Sequence, residues 1–242
     1  MDRSEPEQEQ ELRFFATAPR DCTYLSGRTA ISVFADPEAH LSTPLYQQLA
    51  RYGFRRSGDD LYVPACPGCS ACVPVRIPVA DFKPSRNQQR VWRRNADLDW
   101  EISDPATTPA LFELYRDYLQ QRHPGAGMDD PSEEDYQRFL ISNWCDSFWL
   151  IGKLDRRPVV VAVTDDLHNA LSAVYTFFDP ALKRHSLGTL GVLRQIELAR
   201  DMQRHWLYLG YWIAGSEKMH YKSRFRPLEG YRHGRWEPLE SP

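Results

Sequence analysis

Between residues 148 and 213 the sequence changes its periodicity in an order that few architectures accommodate. Residues 148–154, 159–164 and 171–178 are rich in β-branched and aromatic side chains and are separated by short turns, which predicts an antiparallel meander. Ser186-Leu-Gly-Thr-Leu-Gly191 then reads as a glycine-containing loop that opens a helix to about Arg204, and residues 205–213 read as a further strand. The expectation is a mixed α+β chain with a central, mostly antiparallel sheet flanked by helices.

The first half reads differently. Thr43-Pro44 supplies a cap and a first-turn proline, and Leu45, Leu49 and Tyr52 recur on one helical face until Gly53 stops it. Residues 54–63 form a hairpin around Ser57-Gly-Asp-Asp60, and 72–79 an extended, proline-marked strand. Ser85 with Gln88 is a capping-box pair opening a helix over 86–96. After a connector, Thr108-Pro109 starts a helix whose Leu111, Leu114, Tyr115, Tyr118 and Leu119 form an amphipathic stripe. Gly125-Ala-Gly127 is a loop, and Ser132 with Asp135 opens a helix carrying Tyr136, Phe139 and Leu140. A chain of 242 residues can bury a substantial core. The division expected is an acidic, disordered tail over 1–13, a smaller cysteine-containing region over 14–104 with a basic helix, and a larger catalytic region over 105–240.

A formal net charge of −3 gives no overall attraction to polyanions, so any nucleic-acid contact has to come from local asymmetry. That asymmetry is present. Asp2, Glu5, Glu7, Glu9 and Glu11 crowd the start, whereas Lys83, Arg86, Arg90, Arg93 and Arg94 have no acidic residue among them. Arg86, Arg90, Arg93 and Arg94 fall at i, i+4, i+7 and i+8, one helical face suited to a phosphate backbone. The competing reading is a solvated helix whose charges pair with distant carboxylates. No stretch approaches the roughly 20 apolar residues of a membrane span, and the polar start is unlike a signal peptide. A cytoplasmic protein is expected, with cysteines that are free or metal-bound.

Cys66-Pro-Gly-Cys69-Ser-Ala-Cys72 has the spacing of half a zinc or iron–sulfur site, with Cys22 as the natural fourth ligand. The alternative is a tight Pro-Gly turn of small buried residues. Cys145, in Asn143-Trp-Cys145, reads as core within a helical segment. Residues 208–227 are dense in aromatics and cations, among them Lys218, Lys222, Arg224 and Arg226. These suit a carboxylate or a terminal nucleotide, with Tyr211 and Tyr221 as hydrogen-bonding or stacking partners. The plainer account is a last strand whose aromatic residues complete the core. No nucleophile constellation emerges, so any chemistry is direct transfer without a covalent intermediate.

The order of strands, glycine loop, helix and strand suggests the acyltransferase fold of the N-acetyltransferase type. The motifs go further. Cys22-Thr-Tyr-Leu-Ser-Gly-Arg28, Gly53-Phe-Arg-Arg-Ser-Gly58, Cys66 to Arg76, Phe82-Lys-Pro-Ser-Arg86, Gly127-Met-Asp-Asp-Pro131, Leu171 to Pro180, Ser186-Leu-Gly-Thr189, Gly210-Tyr-Trp-Ile213 and Lys218-Met-His-Tyr-Lys222 stand in this order. Together they closely resemble the bacterial branch of the arginyl-tRNA–protein transferase family, the aspartate/glutamate leucyltransferases of the N-degron pathway. The resemblance spans about residues 14 to 236; Ser26 departs from it, where the family more often has proline.

The resemblance implies transfer of leucine from leucyl-tRNA to the α-amine of proteins with N-terminal Asp or Glu, marking them for degradation. It implies no cofactor for the chemistry itself. Asp36, Tyr211 and Ser216 are then candidates for amine positioning or proton movement. Arg76, Lys218, Tyr221 and Lys222 are candidates for substrate binding, and the arginine-rich helix for the tRNA acceptor arm. Three alternatives remain: an arginyl-tRNA–protein transferase, an acyl-CoA acetyltransferase using the Ser186–Gly191 loop, and a non-enzymatic RNA-binding module with a cysteine metal site.

Overall fold

The computed structural model describes residues 12–122 and 130–239. The expected tail over 1–13, all but Leu12 and Arg13, lies outside the described residues. So do the 125–127 loop and most of the Gly127–Pro131 motif.

The chain runs through β1 (Phe14–Ala16), β2 (Arg20–Asp21), β3 (Thr29–Ala30), β4 (Ser32–Ala35), α1 (Thr43–Ala50), β5 (Arg55–Ser57), β6 (Asp60–Pro64), β7 (Val73–Pro78), α2 (Arg86–Arg94) and β8 (Asp99–Ser103). It continues through α3 (Pro109–Arg122), α4 (Glu133–Leu140), β9 (Ser147–Leu154), β10 (Arg157–Asp166), β11 (Ala170–Phe178), α5 (Leu187–Asp201), β12 (Trp206–Trp212), α6 (Glu217–His220), β13 (Glu229–Arg232) and β14 (Arg235–Pro238). A small sheet has the order β1-β4-β6-β5, and β2 and β3 form a ribbon. The central sheet has eight strands in the order β14-β13-β7-β12-β11-β10-β9-β8. Its neighbours are antiparallel except β11 and β12, which α5 joins as a parallel pair. This is the expected mixed α+β architecture.

The meander forms where the sequence placed it, and β10 is buried on both faces, which explains its unbroken Val159-Val-Val-Ala-Val163 run. Successive side chains on a strand point to opposite faces. Val161 and Val163 pack with Leu114, Tyr115, Leu119 and Tyr136 of α3 and α4. Val160 packs with Leu187 and Leu190 of α5. Buried apolar area of this kind, at about 25 cal/mol per Å², is the main force holding both helical layers to the sheet.

Several local expectations need correction. The Ser186–Gly191 stretch is not a loop, because α5 begins at Leu187 with Ser186 in the left-handed region (φ 52°). Its glycines let the helix approach the sheet: a Cβ on Gly188 would meet Phe178 Cε1 at 2.9 Å. The cap of α1 is Ser42, one residue earlier than read; Thr43 Oγ1 instead accepts the Asp146 N–H at 2.9 Å. Cys145 is core, but in a turn segment rather than a helix.

The division at 104/105 falls inside the sheet instead of between two cores. Strand β7 from the first half sits between β12 and β13, and β8 closes the far edge beside β9. The small sheet is tied on by Arg56, whose Nε and Nη2 meet both carboxylate oxygens of Asp165 at 2.6–2.9 Å. Both side chains are 0% exposed, and the Ser147 hydroxyl donates to the same carboxylate at 2.7 Å.

Candidate active site

The parallel pair β11–β12 is joined only over Ala170–Ser172 and Trp206–Tyr208. Both strands are irregular just beyond that point. β11 shifts register against β10 so that Val174 is left over, and β12 shifts against β7 between Tyr208 and Gly210. Bulges bend strands and increase their twist, and Gly210 takes φ +78°. The central sheet therefore opens like a fork at Ala173 and Leu209. At its crotch the hydroxyls of Tyr46 and Ser172 share a buried hydrogen bond of 3.2 Å.

An arginine that was not among the expected site residues fills the fork. Arg55, on β5, donates through Nη2 to the Ala173 carbonyl at 2.7 Å and to Val174 at 3.4 Å. Its guanidinium lies against Gly210, where a Cβ would stand 2.9 Å from Cζ. Its Nη1 is buried without a hydrogen-bond partner. The sequence signal available was Gly53-Phe-Arg-Arg, of which only the resemblance made use.

Lys222 enters the same fork from the turn after α6. It is 6% exposed, its Nζ donates to the Tyr211 carbonyl at 2.6 Å, and among the described residues it pairs with no carboxylate. Burial first, and the Arg55 charge second, push its amine down to about 7. A buried amine of this kind exchanges a proton near neutral pH, which an exposed lysine does not.

The other expected residues are dispersed. Tyr211 lies in the fork, but its hydroxyl donates to the Gly53 carbonyl at 2.8 Å, and burial holds that proton far above the usual phenol range. Tyr211 contributes its backbone carbonyl and a wall. The Tyr221 ring, 40% exposed, stands 5.8 Å from Lys222 Nζ. Ser216 lines a cavity of about 350 Å³ with Trp212, Gly215, His220 and Arg224. Lys218 projects, exposed, from α6. Two candidates are occupied elsewhere. Asp36 pairs with Arg13 at 2.8 Å in the small sheet and accepts the Glu38 N–H. Arg76 pairs with Glu229 at 2.6 Å, and its Cζ lies 4.3 Å from the ring centres of both Trp206 and Trp236. Two rings and a carboxylate thus engage this guanidinium.

α2 has the expected capping box, Ser85 with Gln88, and Val91 and Trp92 turn its apolar side to the core. Lys83, Arg86, Arg90, Arg93 and Arg94 are all exposed. Among the described residues none of the five forms an ion pair with a carboxylate. Arg94 instead donates to the carbonyl of Arg184, so Lys183 and Arg184 extend the cationic strip. At the other end Gln88 donates to the Arg224 carbonyl at 3.1 Å, which joins the helix to the wall of the Ser216 cavity.

The four expected thiols share a neighbourhood. Burial first, then Cys66, Cys22 and Cys69 in turn, push Cys72 up to about 11. Cys66 is engaged with the backbone of Ile31, accepting its N–H at 3.4 Å, and the Cys69 N–H closes a turn onto the Cys66 carbonyl. Among the described residues no three His, Cys, Asp or Glu side chains are placed to hold a metal ion. The zinc or iron–sulfur site thus does not fit these residues as placed. No described helix is long and apolar enough to cross a membrane.

Comparison with known proteins bears on the same elements. Residues 20–90 match the family described as arginine-tRNA-protein transferase, N terminus, and residues 110–232 its C terminus. The chain is 47% identical over 230 residues to an aspartate/glutamate leucyltransferase of Marinobacter nauticus, spanning 95% of this chain and 97% of that protein. It is 45% identical over 228 residues to one of Pseudomonas savastanoi, spanning 94% and 97%. A distant likeness to L-PGS from Bacillus licheniformis, 10% identical with a TM-score of 0.48 over 68% of this chain and 61% of that one, carries no functional argument.

Proposed function

The chain belongs to the arginine-tRNA-protein transferase family, and from that membership we infer an aminoacyltransferase that moves leucine from leucyl-tRNA to the α-amine of proteins beginning with Asp or Glu. The observation that carries this reading onto the molecule is the fork between β11 and β12, which holds Lys222 and Arg55 and, among the described residues, no carboxylate paired with either. An aminoacyl ester is already activated. The protein has to place a neutral amine beside it and stabilise the oxyanion that develops. An α-amine with a pKa of about 8 is partly neutral at pH 7, and a buried lysine amine is suited to collect its proton.

The other roles follow from position. The exposed face of α2 receives the phosphates of the acceptor arm, and the strip ends beside the cavity lined by Ser216 and Arg224. Lys218, exposed on α6 and free of carboxylate partners among the described residues, meets the acidic side chain of the acceptor.

The test is transfer of labelled leucine, arginine and phenylalanine from their tRNAs to peptides beginning with Asp, Glu or Lys. Leucine transfer to the acidic peptides alone is expected. Arginine transfer without leucine transfer would shift the reading to the arginyl branch, and RNA binding without any transfer would remove it.

A further inference from the structure

Arg55 and Lys222 occupy one gap but come from opposite ends of the chain. Arg55 covers the first carbonyls left over where β11 stops pairing with β12. A guanidinium does not lose its charge at any physiological pH, so this charge acts permanently on whatever titratable group shares the gap. Lys222 is that group. β12 offers it the Tyr211 carbonyl, and its own turn offers the Tyr221 ring. α6 brings Glu217, Lys218 and His220, all exposed, none of them ion-paired with it. No neighbouring anion among the described residues offsets Arg55.

We propose that Arg55 is a positioning residue for aminoacyl transfer: it wedges β11 and β12 apart against Gly210 and sets its fixed charge in the gap where Lys222 Nζ, held on the Tyr211 carbonyl, accepts a proton from the acceptor's α-ammonium. The inference rests on the transfer reading above. The α-ammonium passes one proton to Lys222 Nζ, and the freed nitrogen lone pair forms the new C–N bond at the ester carbonyl carbon. The bond from that carbon to the ribose oxygen then breaks. The departing oxygen keeps the electron pair and takes the proton from Lys222, while the new amide nitrogen sheds its extra proton to water. Lys222 ends as it began. The direction of its shift supports the scheme, with burial first among the causes and Arg55 second.

A merely structural Arg55 would cap carbonyls and leave the titration of Lys222 alone. Competitive acylation read by peptide mass spectrometry measures that titration on the free protein, with no tRNA present. The expected midpoint for Lys222 is near 7 in the wild type. In Arg55→Gln it rises by about one pH unit, and in Arg55→Lys, which keeps the charge, it stays close to the wild type. The pH profile of kcat for leucine transfer to an Asp-initiated peptide shifts in step with these midpoints. Coincident midpoints in the wild type and Arg55→Gln overturn the inference. So does a wild-type midpoint near the ordinary lysine value of about 10.4, a result that stands even if Arg55→Gln does not fold. A wild type that titrates as expected but transfers no leucine gives a separate result: the transfer reading fails, and the catalytic half of the inference with it.

Discussion

At the scale of single residues, two buried cations have opposite relations to stability. Arg56 meets a carboxylate at full burial, whereas Lys222 meets only a carbonyl. The folded state binds the Lys222 proton less readily than the unfolded chain, whose lysine titrates near 10.4. The cost of burying that charge is therefore fully present below pH 7 and is relieved as pH rises from about 7 toward about 10. Replacing Lys222 with methionine removes the dependence. Urea denaturation should show the wild type gaining about 2 kcal/mol relative to Lys222→Met between pH 7 and pH 9; parallel stability curves would mean that the amine stays charged. The same residue illustrates a limit of reading side chains from type alone. Charge logic put Arg76, Lys218 and Lys222 in one class, but Trp206, Trp236 and Glu229 claim Arg76, and those partners come from strands more than a hundred residues away in sequence.

At the scale of elements, what was legible was what local chemistry decides. The capping boxes at Ser85 and Ser132 form as the sequence spells them, and the stripe of α3 buries Leu111, Leu114, Tyr115 and Leu119. The meander forms because its turns are short and its strands are apolar. The missed elements were β1 to β4, β8, α6 and the β13–β14 hairpin, which are two to five residues long and too brief for any periodicity to register. The fork was equally illegible, because it depends on where pairing stops. α2 carries a prediction of its own. With four arginines on an exposed face, it should account for several phosphate contacts, each lowering the slope of log affinity against log salt by about 0.9 on a duplex. Arg90→Ala with Arg93→Ala should weaken tRNA binding and flatten that slope by roughly 2, measured by filter binding across a salt series. An unchanged slope would take α2 out of the interface.

At the scale of the whole molecule, the two sequence halves form one structure. The small sheet sends Arg55 into the fork and Arg56 into Asp165, adjacent residues of β5 that alternate in direction. Arg56→Met should cost roughly 3–5 kcal/mol in global stability, since it leaves a carboxylate buried and unpaired; replacing Asp165 with Asn in the same chain should recover part of that loss. Equal stability of Arg56→Met and the wild type in chemical denaturation would show that the small sheet is held by other means. The central position of β7 has a further consequence, in the order of synthesis. Its partners β12 and β13 leave the ribosome more than a hundred residues after it does. An early, largely apolar ribbon therefore lacks its sheet partners until β12 and β13 have been made, and a polypeptide released before then has no way to complete its middle.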